Sequence, residues 1–149
     1  MTSDVVRRLI LVHGIVAWID TLLLLVVAVL LLRERSLDKP WFRPVSIVAT
    51  LGAVASFASG LLLEMHYRFH VRQRLFLSSK TLGWLFERKQ HLSFGVLLFA
   101  TMGLLMLLLV RKNPPALRAS RAAFVIAAVF AVTTCVISSA VGISKAFSE

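Results

Sequence analysis

Four histidines, one deep aspartate and one glutamate carry most of the reactive chemistry in this sequence. His13 follows the start of the first apolar run. Glu64, His66 and His70 fall together where the second run stops, in the stretch LLLEMHYRFHVRQR (61–74), and His91 opens the third. Neutral imidazole is the commonest metal ligand and a ready proton shuttle. His66 and His70 are four residues apart and share a helical face, a spacing that can hold a metal ion. Asp20 lies seven residues beyond His13, on the same face and deeper in the run. A carboxylate there costs about 2.5–3.5 kcal/mol on insertion scales, so it faces a partner or a cavity. Glu64 precedes Arg68 by four residues, the spacing of an ion pair along a helix.

These residues need elements to hold them, and composition names the elements. Soluble domains average about 45–50% apolar and about 25% charged residues. This chain of 149 residues is 58% hydrophobic and 16% charged. The excess sits in four runs: 9–32, 45–65, 91–110 and 122–143. About 20 residues at about 1.5 Å rise cross a hydrocarbon core about 30 Å thick. No run alternates with period two, which argues against a membrane barrel, and lipid otherwise admits only helices. The expected fold is all-α: one integral membrane four-helix bundle over residues 1–149, both termini on one side. The first run is expected to be retained rather than cleaved. It is long, it contains His13 and Asp20, and no small-x-small site precedes the next polar loop.

Charge supports the same reading. The formal net charge is +10, with 17 Lys and Arg. They gather at helix ends and loops, where lipid headgroups meet them, so the partner implied is the bilayer and not nucleic acid. Nine fall on the side of the termini and second loop and eight on the other, too even to set orientation by the positive-inside rule, and dual insertion stays open. The single Cys135 excludes an intramolecular disulfide.

Three loops are expected. In RERSLDKPWFRP (33–44), Pro40 and Pro44 stop helix, and Trp41 and Phe42 suit the interface. The 67–90 loop mixes Leu, Phe and Trp84 with basic residues, as in a segment lying on the membrane or tucked against the bundle. Pro114–Pro115 marks a break in the third.

Alternating spans put all four histidines at one membrane face. The first and third helices of a simple bundle are diagonal, so His13 and His91 are the expected pair for one haem iron, with His66 as alternate. Glu64, Ser93 or Ser139 would hold the free ring nitrogen. A bare transition metal on His13, His66, His70 and His91 is the other metal option. At the depth of Asp20, the other helices offer Ser56, Thr101, Thr133 and Thr134 as partners. Asp20, and less deeply Glu64, are the candidate proton or cation sites. Gly52, Ser56 and Gly60 recur every four residues, as do Ala127, Ala131, Cys135 and Ser139. Such faces favour close helix packing or make room for a flat cofactor.

The four spans, with boundary histidines in GLLLEMHYRFH and LGWLFERKQHL, resemble the small four-helix b-type cytochrome subunits of respiratory enzymes. That resemblance covers the chain as an architecture. It implies haem b, electron transfer with a quinone, and a place among other membrane subunits in a bacterial inner membrane. A lone acid in the first of four spans also resembles the small multidrug exporters, which implies proton-coupled transport through Asp20. The length, the 67–90 loop and the few aromatics near Asp20 depart from that pattern. The third expectation is a structural or assembly subunit, homo-oligomeric or within a complex. No phosphate-binding glycine loop, CxxC or hydrolase triad is present, so any enzymatic part is at most electron transfer.

Overall fold

The structure, a computed structural model, describes residues 3–33, 40–109 and 113–143. Parts of the first and third expected loops, and Lys145, lie outside the described residues. Five α-helices follow: α1 (Ser3–Leu32), α2 (Phe42–His66), α3 (Arg72–Ser78), α4 (Lys80–Leu109) and α5 (Pro114–Ile143). A π-helical segment, Tyr67–Val71, joins α2 to α3 without a break. No strand occurs among the described residues. Four stretches are long and apolar enough to cross a membrane: Asp4–Leu32, Phe42–Ser78, Lys80–Leu109 and Pro114–Gly142.

The helices overrun the apolar runs at most ends. The stretch 67–90, expected as a loop, is a helical hairpin apart from Ser79. Hydropathy marks where lipid ends; it does not mark where a helix ends. Glu, Lys, Arg, Gln and Leu, which fill this stretch, are strong helix formers. Ser79 makes the turn. Its backbone is extended, and its hydroxyl accepts a hydrogen bond from the Leu82 N–H at 3.3 Å, so it ends α3 and caps α4. Proline placement also differs from expectation. Pro44 lies in the first turn of α2 and Pro114 opens α5. Both positions tolerate proline because the first turn has no N–H partner to lose.

Packing sets the order of the bundle. The extensive interfaces are α4 with α5, α1 with α2, α1 with α5, and α2 with α4. The helices therefore ring the interior as α1, α2, α4, α5, with α1 diagonal to α4. Close approach comes from small residues. A Cβ at Gly95 would lie 2.7 Å from the Phe130 ring, and one at Gly103 would lie 2.8 Å from the Phe124 ring. Ala49, Ala53, Ala100, Ala127 and Ala131 fill the core between them. Ser139 departs from the expected α5 stripe and is exposed. Outward faces carry exposed Leu11, Leu22, Leu51 and Leu62, as lipid contact requires.

The base of the hairpin is packed, not loose. Tyr67, Val71 and Leu75 bury themselves against Ile137 and Val141 of α5. Glu87 accepts from Arg72 Nε at 2.8 Å and from the Tyr67 hydroxyl at 3.3 Å. Glu64 pairs with Arg68 at 2.6 Å, at the expected spacing, and also accepts from Gln90.

Candidate functional site

His13 and Asp20 both face α2, as their seven-residue spacing requires. His13 Nδ1 lies 2.8 Å from Ser59 Oγ. The Ser59 hydroxyl donates to the Ser56 carbonyl at 3.0 Å. Its oxygen is therefore the acceptor for an N–H on Nδ1, and neutral His13 keeps a lone pair on Nε2. That lone pair is the place for a proton or a metal ion. The ring rests on Gly60, where a Cβ would come within 3.3 Å of Cε1. Glycine is what lets the edge of the imidazole come this close to the α2 backbone.

About two turns further along α1, Asp20 is 4% exposed. Its Oδ1 has no hydrogen-bond partner. It abuts Gly52, where a Cβ would fall 2.6 Å from that oxygen. The hydroxyls expected at this depth do not serve it. Thr133 and Thr134 hydrogen-bond their own helix, at Val129 and Ala131. Ser56 and Thr101 make no hydrogen bond to it either. The neighbouring Thr21 turns to α5, with Oγ1 3.2 Å from Cys135 Sγ.

Lys89, which the sequence suggests to be part of a solvated basic loop, is half-buried on α4. Its Nζ stands 5.0 Å from the Phe86 ring centroid. His91, two residues on, is rotated by about 200° at 3.6 residues per turn. It is exposed on α4, and the side chains that meet His13 are Ser59 and Gly60 of α2.

The other histidines stay at the hairpin. His66 and His70 lie on one face as expected, with ring centroids 4.7 Å apart and the rings tilted by 56°. Neither is brought to His13. Among the described residues no group of three or more His, Cys, Asp or Glu is arranged to hold a metal ion. A bis-imidazole haem site needs two rings aimed at one point from facing helices. His91 is exposed and His66 lies against His70, so His13 does not share a hydrogen-bonded or ring contact with either.

Ser59 escaped the sequence reading. Ser59 had a signal: reflecting residue 13 through the first loop, near residue 36, lands on 59, and residue 20 lands on 52. No protein-family model, curated protein or solved structure matches the chain.

Proposed function

We propose that this chain is a small proton-coupled membrane transporter in which Asp20 takes up and releases the proton. The observation that carries the reading is the Asp20 carboxyl: 4% exposed, with Oδ1 unpartnered, inside an apolar bundle. An intramembrane acid with no structural hydrogen bond has a function as its default explanation. His13 lies between Asp20 and the histidine end, with Nε2 free to accept a proton, and relays it. Gly52 and Gly60 let both groups lie against α2. The reading places the protein in an energised membrane such as a bacterial inner membrane, with both termini and the hairpin on one side.

The test is proton flux in proteoliposomes carrying a pH-sensitive dye, with an imposed potential. Wild type is expected to move protons. Asp20→Asn is expected to abolish the flux, and His13→Gln to slow it by about ten-fold or more, within the range of one acid–base residue. Flux that survives in Asp20→Asn rules the reading out.

A second reading has one observation behind it. The tautomer imposed by Ser59 leaves Nε2 of His13 in the form that ligates iron. In that reading the protein is a haem-bearing electron-transfer subunit, with a second ligand from another subunit or copy. The visible spectrum of purified protein, before and after dithionite, separates the two. A Soret band that disappears in His13→Ala establishes haem; a featureless spectrum leaves proton transport.

A further inference from the structure

His66 and His70 stand apart from His13 and Asp20 and form a pair of their own at the hairpin root. His66 closes α2, and His70 lies in the π-helical segment that follows. Their ring centroids are 4.7 Å apart, with the planes tilted by 56°. That separation falls in the range a shared ion requires. Imidazole nitrogen binds a metal at about 2.0–2.1 Å, which sets each ring centre about 3.2 Å from the ion. Two rings that meet at an ion with an angle between about 90° and about 109° then have centres about 4.5–5.2 Å apart. Access is open, since His70 is exposed and His66 half-buried. The arginines around the pair are engaged by other groups. Glu64 holds Arg68, Glu87 holds Arg72, and Arg74 donates through Nε to the His70 carbonyl at 3.0 Å.

We propose that His66 and His70 chelate one late first-row divalent ion, of the class of Cu2+, Ni2+ and Zn2+, with water in the remaining positions. Imidazole suits these ions, and among the three the affinity of a nitrogen site is greatest for Cu2+. Mg2+ and Ca2+ take oxygen ligands instead. A closed structural zinc site uses four protein ligands. A site of two leaves positions open to water, so the ion exchanges with the medium and its occupancy follows the ion's concentration there. The chelate spans the junction between α2 and the π-helical turn. A bound ion therefore holds that turn in place. The site involves neither His13 nor Asp20.

Calorimetric titration of the detergent-purified chain, carrying no polyhistidine tag, with Ni2+ and Zn2+ tests this. One saturable ion per chain is expected, and no such binding of Mg2+. His66→Ala and His70→Ala should each weaken binding by about ten-fold or more, at least what loss of a supporting group costs a metal site. His13→Ala and His91→Ala should retain it. A bound ion also raises the unfolding midpoint. That rise should appear with Ni2+ in wild type and be absent in His70→Ala, whose altered side chain is exposed and so leaves the fold intact. With Cu2+, imidazole nitrogen coupling in the electron paramagnetic resonance spectrum should be present in wild type and lost when both histidines are replaced. The ion should also slow amide hydrogen exchange over residues 67–71. Asp20→Asn should bind the ion as wild type does even though its proton flux is lost, which keeps the two proposals separable. No saturable binding by wild type, or binding that survives in His66→Ala and His70→Ala alike, overturns the assignment.

Discussion

For the single residue, the contact between Asp20 and Gly52 is the one to disturb. A methyl at residue 52 would meet Asp20 Oδ1 at 2.6 Å. Overpacking of this kind costs about 1–3 kcal/mol, so Gly52→Ala is expected to lower the unfolding midpoint in detergent. Gly14 lies on the same helix as Asp20 with open space around it. Gly14→Ala should hold or raise the midpoint, because alanine is worth about 1 kcal/mol over glycine in a helix. Equal effects at the two positions would show that the Asp20 contact is not what Gly52 protects. Asp20→Asn preserves size and removes no hydrogen bond at Oδ1, which has none. Its midpoint should stay near wild type. A fall as deep as that of Gly52→Ala would instead mark the carboxyl as a structural group.

Among the elements, the hairpin is the least anchored by the bundle. Its base is buried against α5, but Leu77 is 79% exposed and Phe69 75% exposed. The π-helical segment at its root departs from regular α-helical bonding, and such segments often mark functional positions. Glu87 holds that root through Tyr67 and Arg72. Glu87→Gln should therefore quicken amide hydrogen exchange over residues 67–78 while leaving α1 and α5 as protected as before. Faster exchange spread evenly over all helices would contradict this local role. The sequence did not mark this element as helical because its polar and aromatic residues resemble a surface loop in composition. What makes it a helix is propensity together with the Ser79 cap, and what fixes its place is burial of Tyr67, Val71 and Leu75 on α5.

For the whole molecule, the alternation of spans expected from the sequence would divide the basic residues nine to eight, a balance that gives charge little bias on insertion. A Leu77→Cys reporter at the hairpin, with Cys135→Ser to remove the buried thiol, reads the outcome in sealed vesicles. An impermeant maleimide should reach residue 77, since it is exposed at the hairpin end. Full labelling from one side would mean a single orientation, and about half from each side would mean dual insertion. Failure to label from either side would place the hairpin in lipid or in an interface.

By itself the sequence determined the solvent. Four runs of lipid-spanning length and the ban on unpaired backbone in hydrocarbon leave helices and little else. It also determined that His13 and Asp20 share a face, because that follows from helical period alone. Only tertiary structure decided what meets them. Which side chain of a neighbouring helix faces His13 depends on the rotation of that helix about its axis. A turn of about 100° per residue separates Lys89, His91 and their neighbours into different environments. That rotation is set by contacts such as Phe130 on Gly95 and Phe124 on Gly103, where shape, not hydropathy, chooses the fit. The fold thereby turned His91 out to the surface and set Ser59 and Gly60 of α2 against His13.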